Sequence, residues 1–325
     1  MQINYDTEST PMRFVTYNLR HDAQPDNLTV QQSLDRLPDP LAGPGYLCKS
    51  GEQPWSVRRL HVAEQLLGEG VVLAGFQEAL VRQVHDLAEL FGSDWDWVGV
   101  GRDDGVEAGE YSPIFYKKSE LVLLSYDSFW TSNTPFTPSR YPGAGSHRVC
   151  TVLHLQRRNG GQKFTVLNTH LDDQSEAQRR HAASMLLARA RYEASATDGP
   201  VLVMGDFNSP PQGRDGAAYE IATGVRPPGA LPPDFAAKYA VAADAPRFAL
   251  QDLRACPPRH AVSANHATFT GFGAPNDTRA WSRIDFVFGG ANGGWEATRY
   301  KVLSALSDDG VLASDHRPVF VDVLI

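Results

Sequence analysis

Short apolar runs recur along this chain, and several stop at, or start from, an acid, an amide or a histidine. They cover residues 14–17, 71–76, 114–116, 149–155, 164–167, 201–204, 284–288 and 319–324, and are rich in Val, Phe, Leu and Ile. Continuous runs of this kind predict strands covered on both faces, since a half-exposed strand would alternate apolar with polar. Helical spacing lies between them. Ser56 precedes Val57, Leu60, Ala63 and Leu67 as a predicted N-cap, with Gly68 and Gly70 near the exit. Leu80, Val84, Leu87 and Phe91 form a second stripe, and Ser175 opens a capping-box pattern ahead of Ala182, Met185, Leu186 and Ala190. Strands alternating with helices, plus strands that follow one another directly, predict an α/β protein with mixed sheets covered by helices.

At 325 residues the chain fits one large α/β domain, and no composition shift, tandem repeat or low-complexity tract divides it. The expectation is a single domain over 1–325 with long loops near 25–54, rich in Pro, Gly and Asp, and near 210–258, rich in Pro and Ala. Cys48, Cys150 and Cys256 are too sparse for a disulfide framework or a zinc motif and read as inert thiols. No apolar run is long enough to cross a bilayer, and the first residues have neither the basic start nor the apolar stretch of a secretory signal, so a cytoplasmic location is expected. The net charge is −8, and Lys and Arg stand together only as pairs. Duplex DNA binders draw their affinity from a basic face, so this balance disfavours duplex DNA while leaving room for a local basic cleft. Nothing points to a protein partner.

The chemistry sits at the strand ends. The run 14–17 leads into Asn18, 71–76 into Gln77 and Glu78, and 164–167 towards His170. The run 201–204 leads to Asp206 and Asn208, Asp285 lies within 284–288, and Asp315 and His316 precede the last run. A carboxylate buried beside an apolar strand costs several kcal/mol unless it meets a cation or a full set of donors. Four acids, two amides and two histidines so placed suggest a hard divalent ion on oxygen ligands, which suits Glu78, Asp315 and Asn18. Asp206 with Asn208 can position a water and take its proton, and His170 and His316 can donate to phosphoryl oxygens as charge builds.

The segments TYN (16–18), FQE (76–78), NTHLD (168–172), GDFNSPP (205–211), RIDFVF (283–288) and SDHRP (314–318) resemble the endonuclease/exonuclease/phosphatase superfamily in content and order. Segments 101–105, 109–116 and 129–135 are similar to an incompletely characterised bacterial and fungal branch of it. The resemblance implies a DNase I-like, four-layer α/β sandwich, with two mixed β-sheets packed face to face and helices outside. It implies Mg²⁺, or Mn²⁺, held by Glu78 with Asn18 and Asp315. It makes Asp206 the residue that deprotonates the attacking water, Asn208 its partner, and His316 a phosphate contact oriented by Asp285. His170 would stabilise phosphate or protonate the leaving oxygen. Where the family often carries an acid two residues after the asparagine, this chain has Arg20, which suits a one-metal description.

Other positions are open to plainer roles. Arg148 stands at a strand start where the family often has a phosphate-facing arginine, and surface charge is the competing role. Glu110 and Tyr111 either line the cleft or pack against it, Asp285 could instead pair with Arg283, and Trp130 reads as packing. The expected activity is metal-assisted hydrolysis of a phosphate mono- or diester of a small phosphorylated metabolite, sugar or lipid head-group. The alternatives are a nuclease acting on single strands or RNA, and a degenerate member that binds ligand without turnover.

Overall fold

The structure, a computed structural model, describes residues 10–37, 51–158, 161–197, 199–242, 247–274 and 276–325. All eight apolar runs fall on strands, those at 71–76 and 284–288 beginning two residues and one residue ahead of theirs. One sheet has the order β11 (Glu296–Val302), β12 (Val319–Leu324), β1 (Met12–Asn18), β2 (Leu73–Gln77), β4 (Ile114–Lys117), β3 (Trp95–Val98). The other runs β5 (Leu121–Trp130), β6 (Val149–Arg157), β7 (Lys163–His170), β8 (Val201–Asp206), β10 (Asp285–Gly290), β9 (Leu250–Asp252). Within each sheet one central pair is parallel, β1 with β2 and β7 with β8, and the other ladders are antiparallel.

Side-chain alternation explains the unbroken apolar runs. On β8, Leu202 and Met204 join Phe14, Leu73, Phe164 and Val287 in the core between the sheets. Val201 and Val203 instead face α4 (Glu176–Ala196), α5 (Ala217–Ala222) and α6 (Pro233–Lys238). On β1, Phe14 points between the sheets, while Val15 and Tyr17 pack under α2 (Trp55–Gly68) and α3 (Val81–Phe91). The architecture is therefore the expected DNase I-like sandwich of two mixed sheets with helices outside. No helix among the described residues is long and apolar enough to cross a membrane.

Several local expectations change. Ser56 is not the N-cap of α2: Pro54 holds that position, its fixed φ already suiting a helix start, and Ser56 lies inside the helix, bonding Asp26. Ser175 does cap α4, accepting from Gln178 N. The stretch 25–54 contains a short helix, α1 (Val30–Leu34), though residues 38–50, Cys48 among them, lie outside those described. The stretch 210–258 carries α5, α6 and β9. Cys150 and Cys256 are free thiols.

Two glycines allow close approaches, one between the sheets and one between neighbouring strands. A Cβ at Gly75 would sit 2.7 Å from Met204 Sδ and 2.8 Å from the Asn168 side chain, across the sheet interface. At Gly205, φ is +147° and a Cβ would lie 2.0 Å from Thr169 O of the adjacent strand. Because that obstacle is backbone, Gly205→Ala should destabilise the protein by at least ~1–3 kcal/mol, read as a lowered urea midpoint; an unchanged midpoint would show that β7 and β8 can separate freely.

Candidate active site

The topology delivers the polar strand ends to one place. Parallel strands finish at the same edge, so Asn18 and Gln77 are register partners at the end of β1 and β2, as are His170 and Asp206 at the end of β7 and β8. An antiparallel neighbour starts where its partner ends. Asp285, the first residue of β10, is thus paired with Asp206, and Asp315 and His316 enter just ahead of β12, which runs against β1. Buried amides tie the sheets at this end: Asn168 Nδ2 donates to Phe76 O and Pro113 O, and its Oδ1 accepts from Gln77 Nε2.

Glu78, Asp206, Asn208, His170, Asp315 and His316 all line one cavity of about 540 Å³. Asn18 Nδ2 bridges Glu78 Oε1 and Asp206 Oδ2, each at 2.9 Å, while its oxygen accepts from Arg20 N at 2.9 Å. His170 Nε2 and His316 Nε2 both lie 3.6 Å from Asp206 Oδ2. His316 Nδ1 is bonded to Asp285 at 2.9 Å. Asn208 donates from its backbone to Asp206 Oδ1 and from its side chain to Leu171 O and His170 Nε2. Asn18 and Asp285 are completely buried and meet the cavity through the side chains they hold. Arg283 pairs with Asp252 at 2.7 Å, so Asp285 is left to His316. Of the four described non-glycine residues at positive φ, three are at this site: Arg20 (55°), Glu78 (59°) and Asn208 (46°). Strain of this kind persists only where the surroundings fix the backbone, and it turns these side chains into the cavity.

Electrostatics separates the groups. Burial and the facing charge of Asp285 push Asp206 up to about 7. Burial would lower His316, but Asp285 and Asp206 outweigh it and raise it to about 10, so it is a cation at neutral pH. Burial and Arg148 hold His170 well below the ordinary histidine value, leaving it neutral. Burial opposes the charge on Glu78, yet the bonds from His21 and Asn18 keep its carboxyl well below the usual range. Burial, reinforced by Glu78, pushes Asp315 up.

This donor set fits a hard cation. Four carboxylates crowd the corner, and two of them, Asp206 and Asp315, resist ionisation, so there is more buried acid than His316 and Arg20 neutralise. An oxygen-rich group of this sort matches a Mg²⁺-type ion. Among the described residues, Asp206, Asp285 and His316 bring atoms within 4.8 Å of one another, the carboxylates as oxygen donors and His316, protonated at neutral pH, as a counter-charge rather than a ligand. Glu78 and Asp315 flank that group along the same cavity, whereas Asn18 turns its amide nitrogen, rather than its oxygen, towards the carboxylates.

Arg148 is buried at the cavity wall, bonded to Asp172 and Asp173, with Nη1 lacking a partner. Glu110 lines the cavity and is held by Arg102 through two bonds of 2.6 and 3.0 Å. Tyr111 packs edge-on to Trp97 and gives its hydroxyl to Val106 O. Trp130 is buried, its indole N–H on Arg102 O. Sequence reasoning missed His21, whose Nδ1 lies 3.2 Å from Glu78, and the lining arginines Arg102 and Arg179. It also missed Arg58, completely buried, which donates to Leu19 O, Arg20 O, His21 O and Ala313 O and so fastens the segment after Asn18 to the one before Asp315. These residues lie in loops or on a helix face, where no periodicity marks them; only the departure from the family pattern at Arg20 pointed to the neighbourhood of one, His21.

A two-sheet α/β sandwich with acids, amides and imidazoles gathered at one rim is the framework of a phosphate-ester hydrolase. The chain belongs to the endonuclease/exonuclease/phosphatase family, which its sequence matches over residues 15–316. No curated protein sequence matches it. An endonuclease/exonuclease/phosphatase from Bacteroides vulgatus shares 25% identity over 97% of this chain and 99% of that one, with a TM-score of 0.73. A mannosyl-6-phosphatase from Bacteroides thetaiotaomicron shares 22% over 97% and 100%, at 0.69. TDP2 from D. rerio, solved with a single-strand DNA product, shares 14% over 97% and 99%, at 0.57.

Proposed function

We propose that this protein hydrolyses a phosphate ester of a small phosphorylated metabolite, sugar or lipid head-group, by attack of water assisted by one Mg²⁺ or Mn²⁺ ion. The observation that carries this is the convergence of Glu78, Asp206, His170 and His316 on one cavity, with Asn18 bridging the first two. Glu78 and Asp315, with Asn18 beside them, would hold the ion, which would supply Lewis-acid polarisation of the phosphoryl group. Asp206, with a pKa near 7, is matched to taking a proton from water at neutral pH, and Asn208 holds its second oxygen in place. Protonated His316, anchored by Asp285, donates to a non-bridging oxygen, and neutral His170 faces the same oxygens or the leaving group. Arg148 and Glu110 would contact the substrate beyond the phosphate, with Tyr111 supporting that wall.

Single-stranded nucleic acid is a second substrate class, favoured by the four arginines along the cavity, Arg20, Arg102, Arg148 and Arg179. The two separate when the protein is incubated with a panel of phosphorylated metabolites and with nucleic acids. Turnover of metabolites that EDTA abolishes and Mg²⁺ restores is the expected result. Turnover of nucleic acid alone would refute the preferred class, and phosphate binding without any turnover would mark a ligand-binding protein.

A further inference from the structure

Resting on the proposed activity, we infer that the part of the cavity wall formed by the loops after β7 and β8 is a subsite for a neutral polyhydroxylated leaving group, read by Asp173 and Asp215 with their paired arginines. Arg148 Nη2 meets Asp173 Oδ1 at 2.7 Å, and Arg179 Nη2 meets Asp215 Oδ1 at 3.0 Å; all four residues line the cavity. Both arginines are buried, with 4% exposure each, whereas the side chains of Asp173 and Asp215 are 53% and 57% exposed.

The wall is built rigidly. Asp172, completely buried, accepts from Gly145 N, Ser146 N, Arg148 Nε, Gln174 N and Ser175 N. Arg179 then bonds Asp172 O, Glu176 and Asp215, joining the segment after β7 to the one after β8. Three loops are thereby fixed with donors and acceptors side by side. A guanidinium offers only donors and a carboxylate only acceptors, while a hydroxyl is both, so adjacent hydroxyls match two such pairs. A second phosphate or a nucleic-acid backbone would meet carboxylates at this wall. A base would find little to stack on: Phe269 is the one Phe, Tyr or Trp ring lining the cavity among the described residues, and it packs edge-on to His316.

The test measures binding with Mg²⁺ present in an Asp206→Asn background, comparing a hexose 6-phosphate with phenyl phosphate by calorimetry. The intact wall should favour the hexose ester by about tenfold or more, the worth of a bond or two to charged groups. Asp173→Ala with Asp215→Ala, both at exposed side chains, should reduce that preference to about unity. No preference with the wall intact, or a preference that survives both substitutions, would overturn the inference. Turnover of p-nitrophenyl phosphate by the unsubstituted chain reports separately on the proposed activity, because that leaving group has no hydroxyls for the wall to read.

Discussion

Asp206→Asn is expected to lower turnover of a phosphate ester by at least ~10²-fold while leaving the protein more stable than before. Both halves follow from one environment. Asp206 is buried, faces Asp285 and has its pKa raised to about 7, which suits it to accept a proton and also makes its charge a burden on the fold. An acid whose folded pKa lies above its unfolded value contributes fully to folding below the unfolded value, about 3.9, and loses that contribution as pH rises through the folded one. In metal-free protein the stability gap between Asp206→Asn and the natural chain should therefore widen from about pH 4 to about pH 8, reaching a few kcal/mol at ~1.4 kcal/mol per unit. Unfolding midpoints in EDTA at the two ends of that window, with steady-state rates in Mg²⁺, check both. Retained turnover would remove Asp206 from the role of base. Asp206→Ala should match the loss of rate, but it removes the acceptors of both Asn18 Nδ2 and Asn208 N, whereas asparagine keeps one of the two, so the pH dependence of the gap rather than its size at one pH carries the comparison.

Asp172→Ala should destabilise the protein by roughly 3–5 kcal/mol, the cost of breaking a buried ion pair by removing one partner. Its carboxylate holds the amides of two loops and Arg148, and removal leaves that buried guanidinium bonded only to Asp173. Burial would raise the Asp172 pKa, but the Gly145 amide, Arg148 and the amides of Ser175 and Gln174 outweigh it and lower the value. For an acid depressed in the folded state the contribution is present above the unfolded pKa and fades as pH falls through the folded one. The penalty of Asp172→Ala, measured by urea unfolding, should therefore be full at about pH 7 and shrink below about pH 4. A penalty independent of pH would mean that the residue acts by packing rather than by charge.

The apolar runs made the strands legible because each lies between two covered layers, and the acids at their ends stood out because burial there needs a partner. The less regular strands were harder to see. β5 is buried at its ends but exposed through its middle and carries a register shift between Leu123 and Ser125, and β11 shifts between Ala297 and Arg299. In β11 the apolar residues are diluted by solvent-facing ones, and in β5 the apolar start at 121–124 gives way to the polar and exposed middle of the strand, so neither reads as one covered run. Ser56 misled for a related reason: a good capping residue announces a helix only when it precedes the first turn, and Pro54 had already begun it.

By itself, then, the sequence determined the layers and the kinds of side chain at the strand ends, since both follow from local pattern and from the cost of burying charge. Which of those side chains meet was decided by the tertiary structure. Only strand order and direction set Asp285 across from Asp206 and bring His316 in beside β1, from positions far apart in the chain. The same holds for Arg58, Asp172 and Arg179, whose partners are mostly backbone oxygens and amides of other loops. A peptide group carries no residue-specific signal, so contacts of that kind become visible only once the chain is folded.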